Sequence, residues 1–417
     1  MAWKRAAICH ANSWAAMEEV GQIHALLQHD YSHLLVWGRR TRVYLFSVLI
    51  GTMKRFVLQS SLFILPIVIL LAHISWDSNN GDLIRLGYIY DKKDFMNPLI
   101  ENLNHKIYFT CVSEVDFEKK HHFSVITIGD SFSEQAYYGY KNFVAMNHEI
   151  NLLHYDRNLH DNPLQTLTGI VNGDLLDSLK IDFVVLELVE RACTSWAQNI
   201  ITTDTIDIKK IQAMISSWRT RPTKNKNPKA LFTDKTFKIL RSNIQYTQHY
   251  KPTYSSTYKV PTRESLFSHP KKQLLFFEGD LDNLVNNNNI DSVRKLNDHL
   301  NYLSFKLKEK GKTLVFLPAA DKYDFYYEHI AVGQFPKPQF FDHLEAMQKH
   351  YAWINSKDIL KGLGSKQKDI YFYGDTHWAP IASMRIAEAI VQTITEMTKF
   401  QDCSSITGVS SNNGAGK

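Results

Sequence analysis

Residues 124–131 read SVITIGDS, a short β-branched run that ends in glycine, aspartate and serine. Three later runs have the same character, and they are DFVVLELVE at 182–190, TLVFLPA at 313–319 and DIYFYGD at 369–375. Continuous runs of this length are typical of parallel strands that are covered on both faces. The four runs therefore predict the central strands of an α/β domain.

Amphipathic stretches between these runs predict helices. Residues 290–312 repeat apolar side chains at helical spacing and stop at Gly311, the glycine expected after a helix. The last stretch opens with Pro380 and repeats apolar residues three and four positions apart. Helices that alternate with buried strands indicate a three-layer α/β fold with a central parallel sheet.

The composition limits the classes of function. The 417-residue chain is 44% hydrophobic and 12% aromatic, which is sufficient for a sizeable core. Its net charge of +6 is spread over 48 basic and 42 acidic residues, so no nucleic-acid partner is implied. The four cysteines have no C-x-x-C spacing, which argues against structural zinc, and sequence alone leaves open whether Cys111 and Cys193 form a disulfide.

An apolar segment near the N-terminus predicts a membrane anchor. Phe56 to Ser75 carries no formal charge and is long enough to cross a hydrocarbon core of roughly 30 Å as a helix. Lys54 and Arg55 precede the segment and Asp77 follows it, so the positive-inside rule places the C-terminal body outside the cytoplasm. No small-x-small site follows the segment, which favours an uncleaved anchor over a signal peptide. We expect a single-pass protein of the cell inner membrane whose main domain is periplasmic or otherwise extracytoplasmic.

The remaining boundaries follow from this span and from the strand pattern. Because Met53, Lys54 and Arg55 are typical of the start of a bacterial signal anchor, we hypothesise that residues 1–52 are an over-extended N-terminus. Basic residues and several prolines interrupt the pattern at 203–272, which predicts an insertion at the mouth of a site. The predicted order is a cytoplasmic segment at 1–53, a membrane helix at 54–76, a stem at 77–115, the α/β domain at 116–400 with its insertion at 203–272, and a disordered tail at 401–417.

Three residues that follow predicted strands carry the chemistry of a nucleophilic enzyme. Ser131, Asp375 and His377 are expected at the carboxyl edge of the sheet, where open α/β folds bind ligands. An imidazole takes the proton of an attacking serine, and a carboxylate orients the ring. The pattern predicts a Ser131–His377–Asp375 triad, with the Ser131 backbone N–H as one oxyanion donor and a helix that begins near Ser133. A solvated surface turn is the alternative for Asp375 and His377.

Two blocks carry a resemblance to a known family. GDSF at 129–132 resembles the nucleophile block of SGNH hydrolases, and GDTHW at 374–378 resembles the Asp-x-His-Trp signature of SGNH-like polysaccharide O-acetyltransferases, including the alginate O-acetyltransferases. VVLELVERA at 184–192 and VFLPAADKYDFYYEHI at 315–330 are similar to further segments of that family. The resemblance covers most of residues 116–400 and implies an SGNH-hydrolase-like domain in which the serine is the nucleophile, the histidine the base and the aspartate its orienter.

The resemblance also implies that Tyr137 and Arg191 contact the substrate or the oxyanion. Helix packing is the alternative for Tyr137, and an ion pair with Glu187 or Glu190 is the alternative for Arg191. Two features depart from the family. Its alginate members carry the Asp-x-His block before the serine block, whereas here the serine comes first. No Gly-x-Asn-Asp block supplies an oxyanion asparagine, for which Asn172 is the candidate substitute.

The sequence thus predicts an O-acetyltransferase that moves an acetyl group through an acyl-serine to hydroxyls of a cell-surface or secreted polysaccharide, with no metal or organic cofactor. The resemblance implies that a multi-span membrane acyltransferase supplies the acetyl group. The alternatives are a carbohydrate esterase with the same triad and a non-catalytic glycan-binding scaffold. A metal hydrolase that combines Asp375 and His377 with some of His121, His122, His148 and His154 is disfavoured, because their spacings do not place them on one element.

Overall fold

The computed structural model describes residues 38–75, 81–91, 93–148, 150–221, 234–364 and 366–409. The chain divides into two compact units, Met1–His73 and Ile74–Lys417. In the first unit the structure describes helix α1, Gly38–Ser75, whose segment Leu49–Leu71 has a mean hydropathy of 1.7 and is not buried by protein. One helix is therefore long and apolar enough to cross a membrane, as predicted.

Helix α1 begins earlier than the predicted membrane helix at 54–76. No proline interrupts residues 38–53, so the helix propagates through them, and Pro66 lies inside it. The predicted cytoplasmic segment at 1–53 is therefore helical from Gly38, while residues 1–37 and 76–80 lie outside the described residues.

The second unit is built on a six-stranded sheet in the order β1-β3-β2-β4-β7-β8, and every neighbouring pair is parallel. Two further strands, β5 and β6, form an antiparallel hairpin. The strands are β1 Thr110–Cys111, β2 Val125–Ile128, β3 Leu152–Tyr155, β4 Phe183–Val189, β5 Thr257–Pro261, β6 Gln273–Phe277, β7 Thr313–Ala319 and β8 Ala352–Trp353.

Helices connect these strands and cover both faces of the sheet. The described helices of this unit are α2 Asp82–Leu86, α3 Asn97–Ile100, α4 Tyr140–His148, α5 Pro163–Asn172, α6 Leu175–Ser178, α7 Glu190–Trp196, α8 Ile208–Arg219, α9 Asp234–Gln245, α10 Glu278–Asp282, α11 Leu284–Asn287, α12 Ile290–Glu309, α13 Lys322–Tyr326, α14 Phe340–Glu345, α15 Ser356–Lys361 and α16 Pro380–Val409.

The central strands are buried on both faces. In β2, Val125 belongs to one hydrophobic cluster and Ile126 to the other, and Val185 and Val184 divide in the same way in β4. Successive side chains of a strand point to opposite faces, so each strand contributes to two cores. The predicted three-layer α/β fold with a central parallel sheet is confirmed.

Three of the four predicted strands form, but residues 369–375 do not. This segment is a buried loop, and its β contact among the described residues is an isolated antiparallel bridge between Tyr371 and Trp378. The short strand β8 occupies the place beside β7 instead. Ile370 and Phe372 are buried by core packing, which gives a loop the apolar character of a strand.

The two predicted helices are present. Helix α12 buries Val293, Leu296, Leu300, Leu303 and Leu307, and the chain leaves it at Gly311 with a φ of +69°. Helix α16 begins at Pro380, as predicted, but ends at Val409. The expected disordered tail at 401–417 is thus helical over 401–409, since no proline or glycine precedes Gly408 in that stretch, and residues 410–417 lie outside the described residues.

The predicted stem at 77–115 is part of the second unit where it is described. Leu83 and Ile84 are buried in one hydrophobic cluster, Val112 is buried in the other, and Thr110–Cys111 form an edge strand. These apolar side chains pack into the domain, so residues 81–115 do not act as a spacer.

The predicted insertion at 203–272 contains the helices α8 and α9 and the strand β5. Its residues Tyr246, Val260 and Phe267 belong to the hydrophobic core, so the insertion packs as an integral part of the domain. Residues 222–233 lie outside the described residues, and they include most of the basic stretch RTRPTKNKNPK at 219–229.

Cys111 and Cys193 are free thiols. Cys111 lies on β1 and Cys193 on α7, directly after β4, and the strands β3 and β2 separate β1 from β4. This topology answers the question that the sequence left open, because Cys111 lies on the edge strand β1 and Cys193 on a helix that follows a strand two places further into the sheet than β3, the neighbour of β1.

Candidate active site

The predicted Asp–His pair is formed on the loop after residue 371. His377 Nδ1 lies 2.5 Å from Asp375 Oδ1, and the backbone N–H of His377 donates to the same oxygen at 3.0 Å. An ionised carboxylate only accepts hydrogen bonds, so the ring nitrogen that faces it carries the proton. The opposite nitrogen, Nε2, is then the acceptor in the neutral ring, which is the form that a general base requires.

The surroundings of Asp375 keep its side chain ionised. Burial has the largest influence on the pKa of Asp375 and raises it, but His377 and the backbone N–H groups of Asp82 and His377 outweigh burial and hold the pKa well below its usual range. The bond from Asp82 N to Asp375 Oδ2 measures 2.9 Å. A buried negative charge beside the imidazole stabilises the imidazolium that forms when the ring accepts a proton.

The other ring nitrogen of His377, Nε2, is available to accept a proton. His377 Nε2 is buried and has no hydrogen-bond partner among the described residues. The His377 ring packs against Phe132, with 4.9 Å between ring centroids, and Phe132 also packs against the buried Trp378 at 4.9 Å. Because Phe132 directly follows Ser131, the serine turn lies against the histidine loop, but no Ser131–His377 hydrogen bond is formed in this conformation.

A network of buried carboxyl groups shapes the serine turn. Asp130 accepts the backbone N–H of Phe132 at 3.0 Å and that of Val189 at 2.6 Å, which ties the turn to the end of β4. Glu187 Oε2 accepts the backbone N–H of Asp130 at 3.1 Å and the hydroxyl of Ser133 at 2.8 Å. Both carboxyl groups therefore position the backbone around the serine.

The prediction of a helix that begins near Ser133 is wrong. Turns follow β2, and the next helix, α4, begins at Tyr140 instead of near Ser133. The Ser133 hydroxyl is engaged with Glu187 and Tyr140, so it does not cap a helix. Gly129 is required by close packing, since a Cβ atom there would lie 2.1 Å from Ser133 Oγ and 2.6 Å from Glu187 Oε2.

Glu187 is a fully buried acid beside the serine turn. Burial and the neighbouring charge of Asp130 raise the pKa of Glu187 well above its usual range. Its second oxygen, Oε1, is buried without a hydrogen-bond partner among the described residues. A protonated Glu187 fits this environment, because a neutral acid avoids placing two negative charges beside one turn.

Lys322 holds the loop that carries the Asp–His pair. Its ammonium donates to the backbone carbonyls of Phe372 at 2.7 Å, Tyr373 at 2.8 Å and Asp375 at 3.0 Å. Lys322 is fully buried at the start of α13, directly after β7, and its Nζ also lies 4.9 Å from the centroid of the Phe267 ring. These carbonyls bond to the lysine instead of to a neighbouring strand, which explains why residues 369–375 form a loop.

Arg191 makes ion pairs with partners that the sequence did not suggest. Its Nη1 atom lies 2.6 Å from Asp321 Oδ1 and 3.3 Å from Asp280 Oδ1, and both carboxylates are buried. Neither Glu187 nor Glu190 is its partner in an ion pair. The guanidinium thus compensates two buried acids, and a contact with substrate stays a prediction.

Tyr137 also lies in an aromatic group. Its ring stacks on His105 at 4.3 Å and contacts Tyr138 edge-on at 5.1 Å. Tyr138, which the sequence did not single out, packs on Phe372 at 5.9 Å, and its pKa is raised by burial and by the charge of Asp375. The pair Tyr137–Tyr138 lies beside the Asp–His loop through Tyr138, whereas a substrate contact of Tyr137 stays a prediction.

Asn172 does not supply the second oxyanion donor. Its amide donates to the carbonyls of Thr202 at 2.8 Å and Asp204 at 2.7 Å, at the end of α5. The amide nitrogen is therefore engaged with two backbone carbonyls and has a structural role.

Asp82, Asp375 and His377 form the group of possible metal ligands in the part of the chain that the structure describes, and their ligand atoms lie within 4.8 Å of one another. Asp375 already accepts three hydrogen bonds from Asp82 and His377. A cation there would have to displace the Asp375–His377 bond, so the hydrogen-bonded pair explains the geometry without a metal.

The other histidines that a metal hydrolase would require have different hydrogen-bond or ion-pair partners, as far as their side chains are described. Their partners are the Asp116 carbonyl for His121, Asp182 for His122, and Thr127 and Glu134 for His154. None of these contacts joins Asp375 or His377, and the side chain of His148 lies outside the described residues.

Comparison with known proteins relates this site to a family. Residues 271–409 match a family model described as the SGNH hydrolase-like domain of acetyltransferase AlgX. The match covers about a third of the chain and includes Lys322, Asp375 and His377, whereas Ser131 lies before it. No curated protein and no solved structure matches the chain. Residues 271–409 are therefore similar to the SGNH hydrolase-like domain of the acetyltransferase AlgX, and this match confirms the family resemblance that the motifs predicted.

Proposed function

We propose that this protein is an O-acetyltransferase that moves an acetyl group through an acyl-Ser131 intermediate to hydroxyls of a cell-surface or secreted polysaccharide. The family match supports an SGNH-type function in acyl transfer. The observation that carries the proposal is the Asp375–His377 hydrogen bond. The His377 ring packs on Phe132, the residue after Ser131, and its buried Nε2 atom has no hydrogen-bond partner among the described residues.

The proposed reaction begins with attack of the Ser131 hydroxyl on the acetyl carbonyl. His377 Nε2 accepts the hydroxyl proton, and the ionised Asp375 stabilises the resulting imidazolium. The tetrahedral intermediate collapses when the imidazolium gives its proton to the leaving group, which leaves acetyl-Ser131. The backbone N–H of Ser131 is the proposed oxyanion donor.

Transfer repeats these steps with a sugar hydroxyl. His377 removes the proton of the acceptor hydroxyl as its oxygen attacks acetyl-Ser131. Collapse of the second tetrahedral intermediate forms the acetyl ester of the glycan and returns the proton to the serine oxygen. Both steps require a hydrogen bond between the Ser131 hydroxyl and His377 Nε2, and such bonds often tighten only when substrate binds.

The remaining parts of the proposal concern the location and partners. Helix α1 supports a single-pass anchor. The basic residues Lys54 and Arg55, directly before the charge-free stretch Phe56–Ser75, support an extracytoplasmic, periplasmic catalytic domain. The acetyl donor in this proposal is a multi-span membrane acyltransferase, and the acceptor is a glycan. Reporter fusions at residue 91 and at residue 409 are expected to report the same side of the membrane.

An acetyl-transfer assay tests the reaction. An aryl acetate is incubated with the full-length protein in detergent, with and without an acceptor oligosaccharide, and acetylated sugar is measured by mass spectrometry. Ser131→Ala and His377→Ala are expected to lower the rate by about 10³-fold or more, because triad members act as a unit. Asp298→Asn on the exposed face of α12 is the matched control for loss unrelated to the site.

Each other outcome contradicts the proposal in a specific way. Hydrolysis that ignores added sugar would identify a carbohydrate esterase with the same triad. Unchanged acetylation of the native cell-surface polysaccharide in cells that carry Ser131→Ala would identify a scaffold without acyl chemistry.

A further inference from the structure

The segment 81–84 docks directly on the loop that carries Asp375. The backbone N–H of Asp82 donates to Asp375 Oδ2 at 2.9 Å, and the N–H groups of Leu83 and Ile84 donate to the carbonyl of Gly374 at 2.9 and 3.3 Å. The segment makes all of these contacts through its own backbone N–H groups, so they depend on where the segment lies and not on its side chains.

The fit of this segment is close. Gly81 has a φ of +105°, and a Cβ atom there would lie 2.5 Å from the carbonyl oxygen of Gly374 and 2.9 Å from Asp375 Cβ. Leu83 is completely buried, and its carbonyl accepts the Thr257 hydroxyl at 2.9 Å. The segment is thus fixed both to the histidine loop and to the hairpin strand β5.

We propose that the segment 81–84, which the chain reaches soon after its membrane-spanning helix, is a positioning element of the active site, and that the backbone N–H of Asp82 fixes the Asp375 carboxylate for His377. This inference rests on the proposed function, because it assigns Asp375 and His377 to catalysis.

The division of hydrogen bonds on Asp375 explains the role. Oδ1 accepts both bonds from His377, and Oδ2 accepts the bond from Asp82. Without the Asp82 donor, Oδ2 would be a buried carboxylate oxygen with fewer partners, and rotation of the carboxylate toward another donor would turn the imidazole out of line. The functional domain on this view begins at residue 81 and includes the segment that the sequence assigns to a stem.

A proline substitution removes this one donor. Asp82 is the first residue of α2, where proline is tolerated because its backbone N–H has no partner within the helix. Asp82→Pro therefore deletes the N–H that binds Asp375. Asp82→Ala deletes the same exposed carboxylate, which pairs only with Arg85 among the described ion pairs, and keeps the N–H.

The comparison of the two full-length variants is the test. We expect kcat of Asp82→Pro to be about tenfold or more below that of Asp82→Ala, with KM within about twofold and a similar Tm. The downfield imidazole proton resonance of His377 Nδ1–H is expected to shift or broaden in Asp82→Pro but not in Asp82→Ala. Equal kcat values and equal resonances in the two variants would overturn the inference.

Hydrogen exchange of the Asp82 amide and the activities of the triad variants separate the positioning role from the proposed function. If Asp82→Pro does not fold, hydrogen exchange of the Asp82 amide in the unmodified protein replaces it, and exchange as fast as in an exposed loop would overturn the inference. If Ser131→Ala and His377→Ala retain activity, the proposed function fails. If they lose activity while Asp82→Pro equals Asp82→Ala, only the positioning role fails.

Discussion

The ammonium of Lys322 donates a hydrogen bond to the backbone carbonyl of Asp375 at 3.0 Å, while the side chain of the same aspartate holds the imidazole of His377. A residue at the start of α13 thereby sets the position of a carbonyl 53 residues later in the chain. The Asp–His pair is thus fixed from two sides, by the buried lysine and by the segment that begins at Gly81.

Replacing Lys322 by methionine is expected to destabilise the domain and reduce kcat. The change keeps most of the side-chain volume but removes the lysine donor from three buried carbonyls, of which only that of Phe372 keeps a backbone donor among the described residues, the N–H of Asp375 at 3.4 Å. We expect a cost of about 3 kcal/mol in the free energy of unfolding. Urea unfolding and acetyl-transfer kinetics measure the two effects. Lys295→Met on the exposed face of α12 is the control, and equal stability of the two variants would contradict the role of Lys322.

Lys322 also predicts a pH dependence of stability. Burial lowers the pKa of Lys322 to about 7, so in the unfolded chain the lysine holds its proton to a higher pH than in the folded domain. The unfolded state then binds more protons between about pH 7 and 10.4, and the contribution of this group to stability rises with pH across that window. The unfolding free energy of the unmodified protein minus that of Lys322→Met, measured between pH 6 and 9, is expected to rise with pH above about pH 7.

Asp375→Asn is expected to preserve the fold and remove most of the activity. The amide of asparagine can donate to His377 Nδ1, which favours the wrong tautomer and places a proton on Nε2. A loss of about 10³- to 10⁴-fold in kcat is typical of this change in a serine triad. Asp298→Asn is the control on an exposed helix position, and a loss of less than about tenfold would show that Asp375 does not orient the base.

Glu187→Gln is expected to stabilise the protein increasingly as the pH rises. Because the folded-state pKa of Glu187 is raised, its contribution to stability is fully present below the unfolded pKa and is lost as pH rises toward the folded value. The gain of the glutamine variant over the unmodified protein should grow by up to about 1.4 kcal/mol per pH unit above about pH 4.3. Denaturation at pH 5 and pH 8 measures this, with the exposed Glu309→Gln as control.

Arg191→Met is expected to lower stability by about 3–5 kcal/mol, because it leaves Asp321 and Asp280 buried without their cation. The double variant with Asp321→Asn should recover part of this loss, as expected for directly interacting residues. If Arg191→Met keeps its stability and loses activity instead, the residue acts as the substrate contact that the family resemblance implies.

Local sequence patterns were sufficient for most of the secondary structure and for the layered fold. The β-branched runs of β2, β4 and β7 and the heptad-like repeat of α12 depend on burial at fixed chain periods, and such periods are visible in the sequence. The same reasoning was wrong for residues 369–375, which were predicted as a strand and form a loop. Their apolar side chains are buried as in a strand, but their carbonyls bond to Lys322, and hydrogen-bond partners far along the chain leave no periodic signal.

The sequence by itself determined the residue types of the site, their places after strands, the apolar anchor and the family resemblance, because each of these is a property of a short stretch of chain. Only the tertiary structure decided that Asp375 and His377 are bonded, that Arg191 neutralises Asp321 and Asp280, and that residues 81–84 complete the loop. These are contacts between residues distant in the chain, and their energies come from burial and hydrogen bonding that exist only once the domain has closed around them.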